Sequence, residues 1–124
     1  MQYLLLIYHS ENEWTRRSTA EQEAIYREYR ELIQQLRESG QLIRGDQLKP
    51  ATTSVILRMR NDSARMIDGP FAETKEQLGG YFLVEVNTRE EAVEIAKRIP
   101  SARSGAIEVR EVIATRAEAR SPGD

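Results

Sequence analysis

Residues 68–77 bring carboxylates, a hydroxyl, an ammonium group and one aromatic ring together between two strand-like segments. They read Asp-Gly-Pro-Phe-Ala-Glu-Thr-Lys-Glu-Gln. Loops held between rigid strands often carry binding and catalytic groups, so we interpret this segment as a candidate site. Asp68 and Glu73 are candidates for proton transfer, while Thr74 and Lys75 are candidates for holding a polar or anionic ligand.

The same segment also suits a purely structural role. Asp-Gly-Pro is typical turn chemistry, because Asp68 can bond to nearby backbone amides and Gly69 permits unusual backbone angles. The charged residues that follow can equally cap a short helical turn or pair with each other in solvent. Phe71 either contacts a ligand or pins the loop to the core. The sequence leaves both interpretations open.

Histidine and aromatic side chains outside the segment offer further chemistry. His9 is the only histidine, and imidazole ordinarily gains or loses a proton near neutral pH, although an exposed histidine at a strand end is the plainer interpretation. Tyr29 offers a hydroxyl to a cavity or packs in the core, as tyrosines on apolar helix faces commonly do. Tyr81 is a candidate ligand contact. Trp14 is predicted in a polar loop, as a lid or a contact between subunits.

The composition excludes several classes of site. Without cysteine the chain has no disulfide, no thiolate nucleophile and no cysteine-bound metal, and one histidine cannot form a His-pair metal site within a chain. No dinucleotide fingerprint is present, so we expect neither metal nor organic cofactor. A formal charge of −2 without a basic run argues against direct binding to nucleic acid or membranes. The apolar run over residues 3–8 is too short for a signal peptide or membrane span, which makes the cytoplasm the expected location.

The hydrophobic pattern predicts one domain over residues 1–115 and a polar, flexible tail over residues 116–124. Strands are predicted over residues 1–8, 41–47, 53–60, 64–67, 79–86 and 105–113, and helices over residues 18–39 and 88–99. This order is β-α-β, an inserted β-hairpin, and β-α-β. It is typical of a ferredoxin-like α+β sandwich, in which both helices cover one face of an antiparallel sheet.

The helix over residues 18–39 has the clearest sequence signals. Ser18 and Glu21 form a capping-box pattern, and Gly40 is a natural helix end. The second helix opens on the same pattern at Thr88. The apolar stripe of the first helix consists of Ile25, Tyr29, Leu32, Ile33 and Leu36.

The first predicted strand is apolar on both faces, although the helices can cover only one. Tyr3, Leu5 and Ile7 lie on one face of it and Leu4, Leu6 and Tyr8 on the other. The strand over residues 79–86 is likewise apolar on both faces, with Tyr81 and Leu83 opposite Phe82, Val84 and Val86. Exposing apolar surface to water costs about 25 cal/mol per Å², and pairing two such faces about a two-fold axis removes that cost. We therefore expect a homodimer whose sheets face each other across a partly apolar cavity.

The segment and the residues after it also resemble a family signature. Residues 68–76, followed by Leu-Gly-Gly-Tyr at 78–81, resemble the DGPF-type branch of the YCII-related proteins. Residues 3–8, the helix ending in Gly40 and residues 99–110 fit the same pattern, so the resemblance covers nearly the whole chain. It implies a dimeric α+β barrel, the fold of several small-molecule enzymes such as muconolactone isomerases and some monooxygenases.

The resemblance also bears on chemistry and setting. The broader family includes presumed enzymes, among them a dehydrochlorinase of chlorinated hydroxyhydroquinones, and DGPF-type proteins are often encoded beside extracytoplasmic-function sigma factors. The resemblance implies an active-site histidine on the first helix, as in the YCII branch, at the position that Tyr29 occupies here. Tyrosine ordinarily has a pKa of about 10 and is a poor base at neutral pH, so this departure weakens any chemistry inherited from the histidine.

Two functions from different classes follow. The first is a small-molecule-binding protein, or a cofactor-independent acid/base enzyme for an isomerisation, elimination or hydrolytic step, that uses residues 68–76 at a cavity between two subunits. The candidate catalytic residues are Asp68, Glu73 and Tyr29, and the candidate ligand contacts are His9, Phe71, Thr74, Lys75 and Tyr81. The second is a non-catalytic binding or regulatory module with a sigma-factor-type protein partner. A third, plainer interpretation is that the segment serves only dimer packing.

Overall fold

The structure is a computed structural model that describes residues 1–71 and 74–114. In chain order the elements are β1 (Gln2–His9), α1 (Glu11–Arg16), α2 (Thr19–Glu38), β2 (Leu42–Gln47), β3 (Val55–Arg60), β4 (Ser63–Asp68), β5 (Gln77–Glu85), α3 (Arg89–Arg98) and β6 (Ala106–Glu111), with short 3-10 turns at Ala51–Thr53 and Pro100–Arg103. The tail predicted over residues 116–124 lies outside the described residues. Within the described ranges, no helix is long and apolar enough to cross a membrane.

The main sheet is antiparallel and has the strand order β2-β5-β1-β6. The most apolar strand, β1, therefore lies between two neighbours. Strands β3 and β4 form a separate two-stranded sheet. This arrangement confirms the predicted α+β fold, and the strand order is consistent with a ferredoxin-like sandwich.

The core lies between the helices and one face of the main sheet. Tyr3, Leu5 and Ile7 alternate along β1 toward the helices and are buried. Because successive strand residues point to opposite faces, Leu4 and Leu6 point away from the helices, and they are only half-buried. Strand β5, the helices and the end of α3 complete the core with Leu32, Leu36, Phe82, Val84, Val86, Ala92, Ile95 and Ile99.

Helix α2 begins and ends where its sequence signals place it. The Ser18 hydroxyl accepts a hydrogen bond from the Glu21 N–H at 3.1 Å, and the Glu21 carboxylate accepts one from the Ser18 N–H at 2.8 Å. This reciprocal capping box satisfies amide groups that the first turn of a helix leaves unpaired. After the helix, Gly40 has a φ of +76°, the left-handed conformation that ends many helices.

The second predicted helix is also confirmed, as α3, but its cap differs from a full capping box. The Thr88 hydroxyl accepts a hydrogen bond from the Glu91 N–H at 3.1 Å, as the pattern predicts. The Glu91 carboxylate, however, accepts from the N–H of Asn87 at 2.9 Å instead of returning to Thr88. The Thr88 hydroxyl therefore caps the first turn of α3, while the Glu91 carboxylate fixes the residue before the cap.

Helix α1 corrects the prediction that Trp14 lies in a polar loop. The Ser10 hydroxyl accepts a hydrogen bond from the Glu13 N–H at 3.1 Å and so caps a six-residue helix that carries Trp14. Ser10 and Glu13 have the spacing of a capping box, which is the signal that the sequence analysis missed. The helix is too short to show an apolar period, and none of its residues is buried.

The β3–β4 hairpin extends from the main sheet as an arm. Asn61 and Asp62 form its two-residue turn with φ of 52° and 62°, the positive values that a tight hairpin requires. At its base Gly69 has a φ of +94° and donates its N–H to the Ser54 carbonyl at 2.8 Å. Large apolar side chains remain exposed along the arm, namely Val55, Leu57, Met59, Met66 and Ile67.

Candidate functional site

A cavity of about 250 Å³ lies between α2 and the helix-facing side of the main sheet. Its floor is made by residues of β1, β2 and β5, and its roof by α2 and Trp14 of α1. Three glycines on the sheet side (Gly45, Gly79 and Gly80) also line it.

The close fit at two of these glycines shows why a larger residue is excluded. A Cβ at Gly79 would lie 2.5 Å from both Cδ2 and Nε2 of His9, so the imidazole packs directly on the glycine backbone. A Cβ at Gly45 would lie 2.5 Å from Cδ1 of Phe82. The two glycines thus leave room for the His9 and Phe82 rings at the cavity wall.

Two pairs of aromatic rings form much of the cavity wall. Trp14 and Tyr26 meet edge to face with ring centroids 5.2 Å apart and planes at 79°. Tyr29 and Phe82 meet at 6.3 Å and 82°. These are favourable geometries for aromatic pairs, and all four rings line the cavity. Ile7, Ile25 and Ile33 add aliphatic surface, so the cavity is mostly apolar.

A pair of hydroxyl groups breaks this apolar surface. The Tyr29 and Ser101 oxygens lie 2.7 Å apart, and either one can donate the hydrogen bond. Burial is the main cause that raises the pKa of Tyr29 above its ordinary value, against smaller opposing effects from Ser101 and Arg103. Tyr29 is therefore protonated at neutral pH. The pair holds two hydroxyl protons and uses one between its members, so one remains to be donated to a ligand.

His9 is the second polar group at the cavity. It is the last residue of β1 and is half-buried. Among the hydrogen bonds of the described residues, none involves its imidazole, and the Cδ2–Nε2 edge of the ring packs against Gly79. A neutral imidazole can donate from one nitrogen and accept at the other.

Charged groups at the cavity are few. Arg30 of α2 lines the cavity and is exposed. Asp46 also lines it, but its strand pairing with Tyr81 places its side chain on the uncovered face of the sheet. There the carboxylate accepts hydrogen bonds from Arg44 Nε at 2.9 Å and from the Tyr81 hydroxyl at 2.6 Å. The bond from Tyr81, followed by that from Arg44, holds the pKa of Asp46 below its ordinary value. The same bond is the main cause that raises the pKa of Tyr81.

The structure places most of the segment 68–77 away from this cavity. Asp68 ends β4 on the exposed arm and does not line the cavity. Phe71 is 73% exposed, with the Arg58 guanidinium 4.8 Å from its ring centroid, so it does not pin the loop to the core. Thr74 bonds through its hydroxyl to the Glu76 carbonyl, and Lys75 is exposed. Glu73 lies outside the described residues.

The end of the segment is nevertheless connected to the cavity through α1. The Gln77 side chain donates to the Thr74 carbonyl at 2.5 Å and accepts from the Glu11 N–H at 3.0 Å. The Glu11 carboxylate in turn accepts from the Ala51 N–H at the base of the hairpin at 2.8 Å. Because α1 also carries Trp14, the segment and the hairpin base support one wall of the cavity from outside.

Two of the sequence-predicted site residues, His9 and Tyr29, therefore come together at the cavity. Those that do not line it are Asp68, Phe71, Thr74, Lys75 and Tyr81. The sequence analysis did not identify Arg30 or Ser101. Arg30 is next to the apolar stripe of α2 in sequence, and its position indicates a solvent-facing charge. No pattern around Ser101 predicts a contact with α2. In the ranges 1–71 and 74–114, no group of three histidine, aspartate or glutamate side chains is placed to hold a metal ion.

Comparison with known proteins gives one family and one close relative. The family model of the YCII-related domain matches residues 1–116. An uncharacterised protein of Rhizobium meliloti (strain 1021) is 34% identical over 112 residues, which cover 89% of this chain and 90% of that protein. The family model covers all the residues that line the cavity.

Proposed function

The chain belongs to the YCII-related family, and we propose that it is a small-molecule-binding protein whose ligand occupies the cavity between α2 and the main sheet. One observation carries this proposal. Aromatic walls, a hydroxyl pair and an imidazole without a protein partner converge on a single space of about 250 Å³. A mostly apolar concavity with a few convergent polar groups is the usual form of a ligand site.

The energetics of packing support the same proposal. Unfilled apolar space in a core lowers stability in proportion to its volume. Here the space lies among large rings of α1, α2 and β5. A bound molecule would restore the contacts that the empty cavity lacks.

We further propose that the ligand undergoes an acid–base step at this cavity. Imidazole is the most common general base in enzymes, and the His9 imidazole lines the cavity. The Tyr29–Ser101 pair would donate a hydrogen bond to an oxygen that gains negative charge as the proton leaves. An isomerisation or an elimination fits these two roles, whereas a hydrolytic step would also need space for water beside the ligand.

A metabolite screen by thermal shift tests the binding proposal. A molecule that binds only the folded chain raises the melting temperature by mass action. Hits are then titrated into His9→Ala and Asp68→Asn. We expect about tenfold weaker binding to His9→Ala, as for the loss of one good hydrogen bond to the ligand, and unchanged binding to Asp68→Asn. Loss in Asp68→Asn with full binding in His9→Ala would instead place the ligand at the segment 68–77.

We propose that the chain forms a homodimer through the face of the sheet that the helices leave uncovered. Leu4, Leu6 and Leu83 form a half-buried apolar centre on that face. The pairs Arg44–Asp46 and Arg110–Glu108 flank it on either side, so two such faces related by a two-fold axis can match apolar to apolar surface. Light scattering should give twice the 14.2 kDa mass of one chain, and Leu6→Lys should give the single mass.

The exposed hairpin arm favours a second candidate function, a regulatory module that binds a sigma-factor-type protein. Leu57 and Met66 pair across the arm on one face and are 57% and 70% exposed. Contiguous exposed apolar residues of this kind are common at protein interfaces. Titration of an extracytoplasmic-function sigma factor should show binding that Leu57→Ser with Met66→Ser removes. No binding by the unaltered chain would exclude this function.

A further inference from the structure

We infer that the cavity takes a small aromatic carboxylate, a single ring that carries one negative charge. This inference rests on the proposed function and adds the chemical class of the ligand. It follows from three properties of the cavity: its volume, the nature of its walls and the sign of its uncompensated charge.

The volume limits the ligand to one ring with a short substituent. An apolar cavity of about 150 Å³ in another protein accepts benzene, and typical sites for drug-sized molecules begin at about 300 Å³. The 250 Å³ found here lies between these values. A nucleotide is therefore too large.

The walls favour an aromatic ring over an aliphatic chain. Four rings line the cavity as two edge-to-face pairs, Trp14 with Tyr26 and Tyr29 with Phe82. A fifth ring, that of the ligand, can adopt against these rings the offset or edge-to-face contacts that aromatic groups prefer. An alkyl chain gains only the free energy of burying its apolar area against the same surface.

The charge at the cavity favours an anion. The Asp46 carboxylate lies with Arg44 and Tyr81 on the opposite face of the sheet, so its negative charge does not face the cavity. Arg30 makes no ion pair with any described residue, and the residues three and four positions away on α2 are Tyr26, Arg27, Ile33 and Gln34. Its guanidinium is therefore free to bind a carboxylate with two parallel hydrogen bonds.

Arg27 provides a matched control on the same helix. It is exposed like Arg30 but does not line the cavity. Glu23 and Glu31 lie four residues away on either side, the spacing at which opposite charges on a helix interact. Removing its charge changes the net charge of the protein by the same amount as removing that of Arg30.

Trp14 gives a direct readout, because it is the only tryptophan and it lines the cavity. Benzoate, benzyl alcohol and cyclohexanecarboxylate are titrated into the unaltered chain, Arg30→Gln and Arg27→Gln, with binding followed by Trp14 fluorescence and by calorimetry. We expect benzoate to bind most tightly. Arg30→Gln should weaken benzoate binding about tenfold and leave benzyl alcohol unchanged, while Arg27→Gln should match the unaltered chain. Added salt should weaken the binding of benzoate and not that of benzyl alcohol.

Each other outcome overturns a stated part of the inference. Equal affinity for benzyl alcohol and benzoate would remove the requirement for a charge, and equal affinity for cyclohexanecarboxylate would remove the requirement for an aromatic ring. Unchanged benzoate binding by a folded Arg30→Gln would remove the role of Arg30. If none of the three probes binds, the ligand class is wrong. The binding function itself fails only if no molecule of the metabolite screen changes Trp14 emission.

Discussion

The imidazole of His9 packs so closely on Gly79 that a Cβ at position 79 would lie 2.5 Å from two of its ring atoms. This contact joins the first strand to the Leu-Gly-Gly-Tyr motif that follows the segment 68–77. Gly79 therefore has a steric role at the cavity: it leaves room for the only histidine of the chain.

Gly79→Ala should displace the His9 ring without unfolding the chain. Overpacking typically costs about 1–3 kcal/mol. We expect the free energy of unfolding to fall by about 1 kcal/mol, the lower end of this range, because only the His9 side chain must move. Affinity for a cavity ligand should fall several-fold. Imidazole resonances of His9 in NMR spectra, together with urea unfolding, measure both effects. In the His9→Ala background the same alanine should cost nothing further, and unchanged imidazole resonances in Gly79→Ala would contradict the steric role.

The Tyr29–Ser101 hydrogen bond should show coupling in a double-mutant cycle. Tyr29→Phe and Ser101→Ala should each lower the free energy of unfolding by about 1 kcal/mol, because each leaves the hydroxyl of the other residue without its hydrogen-bond partner. The double variant should lose less than the sum of the two. Tyr26→Phe on the same helix is the control, because its hydroxyl makes only a 3.5 Å contact with Gln47. Additive effects would mean that the two hydroxyls act independently.

The raised pKa of Tyr29 predicts a specific loss of stability at alkaline pH. Burial favours the protonated phenol in the folded chain, so the unfolded chain deprotonates first, near the ordinary pKa of about 10. The contribution of Tyr29 is therefore complete below pH 10 and is lost as the pH rises through the folded-state pKa. Urea unfolding between pH 8 and 11 should show a smaller decline in Tyr29→Phe than in the unaltered chain. An identical decline would indicate that Tyr29 titrates alike in both states.

The sequence predicted the long elements well because their signals are local. Helix α2 has a capping box, an apolar stripe and a terminal glycine, all within about twenty residues, and β1 is a continuous apolar run. Helix α1 was missed because six residues are too few to show a helical period. The sequence also could not predict that the hairpin is a separate, exposed arm, because Val55, Leu57 and Met59 alternate just as the residues of a packed strand do.

The cavity was only partly predictable, because its lining comes from distant parts of the chain. His9 and Tyr29 stood out by residue type and by resemblance. Ser101 contributes only because the chain after α3 returns to α2, which is a tertiary contact. The segment 68–77 drew attention by its composition, yet composition does not reveal that Asp68 ends a strand of the arm and not a strand of the main sheet.

Asp46 should contribute stability that is lost in acid. Its folded-state pKa lies below the ordinary value, first because of the Tyr81 hydroxyl and then because of Arg44. That contribution is complete above about pH 4, the unfolded-state value, and is lost as the pH falls through the folded-state pKa. Urea midpoints between pH 2 and 6 should therefore depend less on pH in Asp46→Asn. Tyr81→Phe should reduce the dependence more than Arg44→Gln, and the reverse order would contradict the leading role of the Tyr81 bond.

Helix α1 should depend on its Ser10 cap, and Trp14 reports on it. Ser10→Ala removes the acceptor for the Glu13 N–H, a loss that typically costs about 1 kcal/mol. Since α1 buries no residue of its own, we expect that cost to appear as local opening: Trp14 emission should shift to longer wavelength and amide exchange should quicken over residues 11–16. Ser18→Ala, which uncaps α2, should lower global stability by a similar amount with little change at Trp14. Equal Trp14 emission in the two variants would mean that the contact with Tyr26, and not the cap, holds α1 over the cavity.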